Sequence, residues 1–565
     1  MTAPHTPDSH FQAIEAACSA QGVKVARAEA MCANWLGLVL QGTHRSWRLE
    51  LALHASSLNL PTLRVIDHGG LLAHVGYDGT VCVTDRQGLS LDVARPEDVA
   101  AHTVLAGFRL LEESAESASS GHQEFLKELE GYWSGMLPNM RSGRAALEAD
   151  GRSRFILGYA SHKSAEASNW FFLEDGAAPP RGYRLKGLKR SRALYVHLDA
   201  CPLPPTHHRE LDAEFVLAVV ECMSAEQREL WKGLLGPSKN SPKRLALLVS
   251  TPRPGGGNSL IGLTFGADHG EVAGRQRVVP LTVRRHTVSY MRERGGASGA
   301  LAGKHVAILG CGAIGAAVAD ALAAAGVGKL TLVDHDAYSE DNVFRHVLDP
   351  IFIDCPKPTA LKLQLERRYP GLEVVDVHKT AEDWLEAVDV ASLGLHGVLV
   401  AIGLPTVDRH VALCLRRTGA HLPVVLTWLE ALDLGGHSVL TWTDQKRCLD
   451  CLYRDDEGHQ SQHPRTAFLE ADQAVSRNLT GCTSIFVPYG ALQARKTALT
   501  AAEHLLEAML EEQSTSYRAW VGKGVVAQAE GLRTTNWWAT VGELSEGEAT
   551  ERLFGLPCKY CRECA

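Results

Sequence analysis

The clearest alternation of apolar and polar segments lies in the second half of the chain. A short apolar run, 306–309, is followed by glycines, an alanine-rich helical segment at 316–325 and a second apolar run at 329–333. From about residue 286 onward, strand-like and helix-like segments continue to alternate, which is typical of βαβ units with a parallel sheet. We therefore expect an α/β domain with a parallel-rich, Rossmann-like sheet over residues 286–565.

The pattern before residue 140 is different. A helical pattern at 11–20 precedes apolar and β-branched runs at 47–53 and 63–66, and a helix opened by proline begins at Pro96. The runs predict an antiparallel sheet. We expect an α+β domain over residues 1–140, in the order helix, sheet, cysteine, helices.

The segment 141–285 mixes both patterns. Strand-like runs occur at 193–198 and 244–249, a helix with a serine cap is predicted over 224–235, and Pro254-Gly-Gly-Gly257 marks a break. No catalytic motif stands out. We expect a mixed middle domain that connects the other two, and a binding site without a recognised motif is the alternative.

Composition restricts the class of protein. The 565 residues are 45% hydrophobic and 22% charged, as in ordinary globular proteins, and the formal net charge of −8 comes with no dense basic stripe, so we expect no nucleic-acid partner. We find no secretory signal and no run apolar enough to span a bilayer, so we expect no membrane partner and a cytoplasmic protein. The 14 cysteines are then expected to be thiols, metal ligands or nucleophiles.

A glycine-rich turn follows the first strand of the C-terminal region. Gly310, Gly312 and Gly315 stand between that strand and the alanine-rich helix, and Asp334 ends the next strand. Glycines allow backbone amides to approach a phosphate at the helix N-terminus, and the carboxylate can hold ribose hydroxyls. This pattern predicts an adenine nucleotide, and by itself it fits NAD as well as ATP.

The next residues distinguish the two. The segment from Asp334-His-Asp336 through Asn342 to Arg345 resembles the DxDxVxxxNxxR signature of activating enzymes for ubiquitin-like proteins, including the ThiF and MoeB adenylyltransferases. Lys357 stands where that family has its phosphate-binding lysine. The resemblance implies that the three glycines cradle the phosphates of ATP and that Asp334 binds ribose. It also implies that Asn342, Arg345 and Lys357 act on the phosphates and the acyl-adenylate transition state.

One segment departs from the family pattern. The family has a Mg²⁺-binding aspartate in a Thr-Asp-Asn segment, whereas this chain has Ala401-Ile-Gly403-Leu-Pro-Thr-Val-Asp408. Asp408 is close in sequence but out of register. Mg²⁺ is expected with ATP, and its ligand is left open.

Two CxxC pairs occur, Cys448/Cys451 and Cys558/Cys561. Each pair can hold a tetrahedral ion from one turn, and together they would close a four-thiolate shell, which predicts structural Zn²⁺. ThiF and MoeB carry CxxC pairs at corresponding points. Free cysteines or a redox pair are the alternatives.

Two further cysteines are candidate nucleophiles. Cys482, in Gly481-Cys-Thr483, resembles the cysteine with which activating enzymes attack the acyl adenylate, and a buried cysteine at a helix start is the alternative. Cys82, after His74-Val-Gly-Tyr-Asp-Gly79, resembles the active-site cysteine of ubiquitin-conjugating enzymes, although no asparagine closely precedes it. A small buried strand residue is the alternative.

A conjugating-type domain before an activating-type domain resembles the bacterial fusion enzymes of CBASS anti-phage systems. That resemblance implies a protein substrate with an activated C-terminus, a cGAS/DncV-like nucleotidyltransferase, and ligation to a target lysine through thioesters at Cys482 and then Cys82. A bacterial ubiquitin-like protein as substrate, a sulfur-carrier adenylyltransferase and a non-enzymatic scaffold are the alternatives. A homodimer is expected because relatives of this fold commonly dimerise.

Overall fold

A computed structural model provides the three-dimensional structure. It describes residues 6–53, 58–84, 88–116, 118–136, 142–160, 169–180, 183–206, 211–236, 243–268, 271–272, 278–455, 457, 459–479, 485–511, 513–555, 558 and 561. The chain divides into two compact units, Met1–Thr287 and Val288–Ala565. Within the described residues, no helix has both the length and the apolar character needed to cross a bilayer.

The first unit contains two sheets with helices packed on them. The division of this unit into domains 1–140 and 141–285 stays a prediction. Its elements, in chain order, are α1 (Pro7–Ala20), β1 (Lys24–Ala28), β2 (Trp35–Gln41), β3 (Ser46–Ala52), β4 (Leu63–Ile66), α2 (Pro96–Glu116), α3 (Ala118–Lys127), α4 (Leu129–Gly135), β5 (Ser142–Ala146), β6 (Arg154–Ala160), β7 (Trp170–Glu174), β8 (Lys189–His197), α5 (Ala213–Glu221), α6 (Ala225–Leu235), β9 (Lys243–Pro252), β10 (Asn258–Asp268), β11 (Glu271–Val272) and β12 (Val279–Arg285).

The first sheet is an antiparallel meander in the order β1-β2-β3-β4. On β2, β3 and β4 every second side chain is buried on one face, because successive side chains of a strand point to opposite faces of the sheet. Leu38, Leu49 and Val65 on that face pack against Val104 and Leu111 of α2 in one cluster. The predicted order of helix, sheet, cysteine and helices is confirmed.

The second sheet closes on itself. Its order is β11-β10-β12-β5-β7-β6-β8-β9, and β10 also pairs with β9 along its length, so β5 to β10 and β12 form a ring. Every strand of the ring contributes to one buried cluster that includes Phe172, Tyr195 and Leu248, which identifies the interior of the ring. Neighbouring residues such as Leu194 and Leu247 point outward and pack with residues of α3 to α6.

The second unit is a doubly wound α/β structure. Its elements are α7 (Val288–Arg294), β13 (His305–Leu309), α8 (Ala313–Ala325), β14 (Lys329–Val333), α9 (Lys357–Arg368), β15 (Glu373–Val377), α10 (Ala381–Ala387), β16 (Gly397–Val400), α11 (Pro405–Arg417), β17 (Pro423–Leu429), β18 (Gly435–Trp442), β19 (Arg477–Asn478), β20 (Ile485–Phe486), α12 (Ala491–Glu511), β21 (Ser516–Val521), α13 (Val525–Ala529), α14 (Asn536–Val541) and α15 (Glu546–Phe554).

The main sheet of this unit has the order β15-β14-β13-β16-β17-β18-β21. The five strands from β15 to β17 are parallel, and β18 and β21 extend the sheet antiparallel. The predicted α/β fold with a parallel-rich sheet is confirmed. Because the strand order reverses direction at β13, a crevice is expected at the carboxyl ends of β13 and β16, where doubly wound sheets bind ligands.

Candidate nucleotide, metal and thiol sites

The glycine loop packs tightly at the carboxyl end of β13. Gly310 has φ 90°, a left-handed conformation that favours glycine, and a Cβ there would lie 2.7 Å from the Ala401 carbonyl oxygen. A Cβ at Gly315 would lie 1.9 Å from the Gly310 carbonyl oxygen. These two glycines therefore let α8 start directly against the loop and beside β16.

Gly312 has a different environment. It is the N-cap of α8, no side chain caps the helix, and a Cβ built on it meets no atom within 4 Å. The first amides of a helix carry partial positive charge and need acceptors. The start of α8 thus combines uncapped donors with open space, which suits a phosphate group.

Asp334 stabilises the glycine loop through hydrogen bonds to backbone amides. One carboxylate oxygen accepts from the Cys311 amide at 2.6 Å, and the other accepts from the Asp336 amide at 2.8 Å. A carboxylate offers about four lone-pair positions, so acceptor capacity remains for ribose hydroxyls. The Cys311 thiol is fully buried, and burial raises its pKa well above the ordinary value, so it stays protonated.

Lys357 begins α9 and lies next to the same edge. Its Nζ is 2.8 Å from Asp336 Oδ2, and its side chain is only 8% exposed, against 53% for Asp336. Burial alone would raise the pKa of Asp336, but the hydrogen bond and charge of Lys357 lower it overall. The ammonium group of Lys357 is therefore held at the edge of the sheet by Asp336, which is itself about half exposed to solvent.

Asn342 and Arg345 lie on the short turn after β14. The Asn342 side chain accepts from the Ser339 amide at 3.3 Å and so stabilises the turn, while the Arg345 guanidinium stacks 5.2 Å from the centre of the Tyr489 ring. His346 ties the turn to the glycine loop, because its Nε2 lies 2.9 Å from the Cys311 carbonyl oxygen.

Two residues at this edge contact the predicted nucleotide-binding residues or their loop, and the sequence did not predict these contacts. His346 is buried, and burial lowers its pKa, so the ring is neutral and donates to the Cys311 carbonyl. Asp336 was part of the motif but was given no role, and it holds Lys357. A local pattern did not reveal either contact, since the partners lie 35 residues apart for His346 and Cys311 and 21 residues apart for Lys357 and Asp336.

Asp408 lies in the first turn of α11 and is 9% exposed. Burial raises its pKa to about 7, and a hydrogen bond from the Gly403 backbone opposes this only in part. The carboxyl is thus largely desolvated near the carboxyl end of β16. The ligand of a Mg²⁺ ion stays open.

The four cysteines of the CxxC pairs meet in the core of the second unit. All four are buried and their sulfurs lie within 4.8 Å of one another, with the closest separations at 3.3 Å (Cys448 to Cys558), 3.4 Å (Cys451 to Cys561) and 3.6 Å (Cys448 to Cys561). A tetrahedron with metal–sulfur bonds of about 2.3 Å has sulfur–sulfur edges of about 3.8 Å. The cluster therefore fits a tetrahedral metal ion with little adjustment.

Cys82 lies on the first unit and is exposed. It directly follows Val81, which bridges Val75, and it lies outside the named strands. The alternative of a buried strand residue is therefore wrong. Its amide donates to the His74 carbonyl oxygen at 2.7 Å, and both residues line a cavity of about 480 Å³. Cys482 lies outside the described residues.

Comparison with known proteins identifies relatives of this chain. Residues 289–522 match the ThiF family. The "ATP-dependent ubiquitin transferase-like protein Cap2" of Pseudomonas aeruginosa is 29% identical over 247 residues, which cover 41% of this chain and 41% of that protein. The protein of the same name from Vibrio cholerae is 26% identical over 37% of this chain and 36% of its own length.

The chain thus spans less than half of the length of these relatives. The matches confirm the predicted resemblance to ThiF-type proteins and to a bacterial ubiquitin transferase-like protein. Crystal structures of E. coli MccB superpose with a TM-score of 0.30 at 16% identity, over 42% of this chain and 65% of that one. At that level of similarity no role is transferred from MccB.

The packing at the glycine loop generates a testable difference between two similar substitutions. Gly315→Ala forces a methyl group against the Gly310 carbonyl oxygen and is expected to cost about 1–3 kcal/mol or more of unfolding free energy. Gly312→Ala enters open space and is expected to cost under about 1 kcal/mol. Thermal unfolding of the two variants and the wild type checks this. Equal melting temperatures for both variants would contradict the loop geometry.

Proposed function

We propose that the chain uses ATP to activate the C-terminal carboxylate of a protein as an acyl adenylate, with release of pyrophosphate. The observation that carries the proposal is the uncapped, open start of α8 at Gly312, with the Lys357 ammonium held at the same sheet edge by Asp336. Amides alone would suit any phosphate, including the pyrophosphate bridge of NAD. Added cations favour a reaction in which negative charge builds up on a leaving pyrophosphate.

The proposed roles of the individual residues are those that the resemblance to ThiF-type enzymes implies. Gly312 leaves room for the phosphates, Gly310 and Gly315 allow the close packing that brings the start of α8 to them, and Asp334 accepts from ribose hydroxyls. Asn342, Arg345 and Lys357 contact the phosphates as the carboxylate attacks the α-phosphorus, and Mg²⁺ would accompany ATP. The ThiF match, which spans all of these residues, and the ATP-dependent transferase among the relatives support this assignment.

A lysine substitution tests adenylation directly. Lys357→Ala is expected to lower ATP–pyrophosphate exchange by about 100-fold or more, because one charge contact to the transition state is lost. Lys362→Ala is the matched control, since Lys362 lies on the same helix and also pairs with an aspartate, Asp376, at 2.9 Å. The assay requires the protein substrate and radiolabelled pyrophosphate. Equal exchange in both variants and the wild type would refute the role of Lys357.

After activation, we propose that the acyl group passes to Cys482 as a thioester, then to Cys82, and finally to a lysine amine of a target protein. A thiolate attacks an activated carboxyl readily and gives a thioester that can be transferred again. The exposure of Cys82 in a cavity supports a role in which a second protein must reach the sulfur.

The order of transfer predicts a difference between two cysteine variants. Mixed with protein substrate and ATP, Cys82→Ala is expected to form one thiol-sensitive adduct, at Cys482, and Cys482→Ala is expected to form none. Cys32→Ala, which removes another exposed thiol, should behave as wild type. Non-reducing gels read the adducts. An adduct that survives in Cys482→Ala, or product that forms normally in Cys82→Ala, would contradict the relay.

The protein substrate follows from the resemblance to the CBASS fusion enzymes. We propose a cGAS/DncV-like nucleotidyltransferase, primed by conjugation in anti-phage defence, acted on in the cytoplasm by a homodimer. A bacterial ubiquitin-like protein is the second candidate, and a sulfur-carrier protein is the third. Testing each class in the exchange assay distinguishes them, since only the cognate C-terminus supports exchange. A sulfur-carrier system further predicts that Cys82→Ala leaves every product unchanged.

We further propose that the cysteine tetrad binds structural Zn²⁺, because four thiolates close the shell and leave no open position for a substrate. Protein purified with excess zinc and dialysed is expected to retain about one zinc per chain. Cys561→Ser should lose the zinc and lower the melting temperature, while Cys414→Ser, outside the tetrad, should retain it. Elemental analysis measures both. Wild-type protein that retains no zinc under thiol-reducing conditions would refute the assignment.

A further inference from the structure

Cys82 shares its cavity with a histidine and a glutamate. His74 lies eight residues before Cys82, whereas Glu128 comes from the junction of α3 and α4, and all three line the space of about 480 Å³. Tyr132 and Phe125 close the apolar side of the same cavity. The exposed cysteine therefore lines the same site as a titratable pair.

The glutamate holds the histidine at two points. Glu128 Oε1 lies 2.8 Å from His74 Nδ1, and Oε2 accepts from the His74 amide at 2.9 Å. Because Nδ1 is engaged by the carboxylate, it carries the proton in the neutral ring, and Nε2 is the nitrogen with a free lone pair. The side chains are 25% and 38% exposed, so the pair is sheltered but remains accessible from the cavity.

The backbone couples this pair to the cysteine. His74 has φ 60°, a conformation that non-glycine residues adopt infrequently, and its carbonyl oxygen accepts from the Cys82 amide at 2.7 Å. Residues in such conformations cluster at functional sites, where the surrounding structure holds them. An ion pair that served only to fasten α4 to this segment would not require the histidine to take this conformation beside the thiol.

We propose that His74, oriented by Glu128, is the general base for the last acyl transfer from Cys82. The inference rests on the proposed acyl-transfer function and identifies the group that would handle the proton. The amine nitrogen of the acceptor lysine attacks the thioester carbonyl and forms the C–N bond. His74 Nε2 accepts the proton that the nitrogen loses, and the C–S bond breaks to release the Cys82 thiolate. The imidazolium then returns its proton to the thiolate or to water.

Glu128 acts as a positioning residue in this scheme. Its hydrogen bond raises the pKa of His74, burial opposes that effect, and the charges of Glu128, Glu124 and Glu113 add to it. A general base works in its neutral form, so the rate of acyl transfer rises as pH passes upward through the pKa of His74. Removing the Glu128 charge lowers the pKa of His74, so the rise in the rate of acyl transfer moves to lower pH. The maximum rate also falls, because His74 is then a weaker and less well oriented base.

The test uses the full chain and does not depend on the natural protein substrate. The chain is acylated with the mercaptoethanesulfonate thioester of acetylglycine, free lysine is added, and the loss of each acylated cysteine is followed by peptide mass spectrometry across a range of pH. Cys32, an exposed cysteine of the same unit, is the internal reference for uncatalysed aminolysis. The variants are His74→Asn and Glu128→Gln, because asparagine tolerates the left-handed backbone at position 74.

Wild-type Cys82 is expected to discharge at least about 100-fold faster than Cys32, and the ratio of the two rates should rise as pH passes upward through the pKa of His74. His74→Asn should remove this advantage and leave only the pH dependence that Cys32 also shows, which comes from deprotonation of the lysine amine. Glu128→Gln should retain part of the rate and shift the rise to lower pH, an effect that a purely structural role would not produce. If His74→Asn does not fold, the shift in Glu128→Gln decides the question.

Two adverse results have different meanings. Fast discharge from Cys82 that both variants leave unchanged would overturn the role of His74 and Glu128, while the proposed acyl transfer through Cys82 would stand. Discharge from Cys82 no faster than from Cys32 in the wild type would overturn the proposed function of Cys82 itself, and the base with it.

Discussion

The candidate nucleotide site, at the carboxyl ends of β13 and β16, depends on the close contact between the start of α8 and the loop after β13. Gly315 fits against the Gly310 carbonyl, and Gly310 fits against Ala401 at the end of β16. Only residues without a Cβ permit both contacts. They bring the helix N-terminus to the point where the strand order reverses, so that its amides face the crevice. Asp334, which binds the Cys311 amide, then keeps the loop in this position.

The sequence predicted those parts of the site that depend on short-range spacing. The three glycines, the strand end at Asp334 and the two CxxC pairs follow local geometric rules, and the structure brings the four cysteines together. The sequence did not predict contacts between side chains that are distant along the chain. The Lys357–Asp336 pair spans 21 residues and the His74–Glu128 contact spans 54, and neither leaves a periodic trace.

The closed sheet of the first unit was missed for a related reason. Individual strands such as β8 and β9 were predicted from their apolar runs, but closure depends on which strands pair. The parallel pairing of β12 with β5 joins segments at opposite ends of the sheet in sequence, and β10 pairs with both β9 and β12. Apolar patterning fixes which face of a strand is buried, whereas partner choice is decided by packing of the whole ring.

In the proposed cycle, chemical energy from ATP is stored first in a mixed anhydride and then in thioesters, and each step needs a different environment. The anhydride requires donors and cations around phosphate, which the second unit offers at Gly312 and Lys357. The final transfer requires an accessible sulfur and a base, which the first unit offers at Cys82 and His74. Covalent linkage of both units in one chain raises the effective concentration of the intermediate at its second cysteine.

The crystal structure of the chain with a non-hydrolysable ATP analogue tests the central claim most directly. The account predicts that the phosphates lie over Gly312, that the ribose contacts Asp334, and that Lys357 Nζ lies within hydrogen-bonding distance of a phosphate oxygen. A nucleotide bound elsewhere, or a preference for NAD over ATP at this edge with Lys357 still paired only to Asp336, would contradict it.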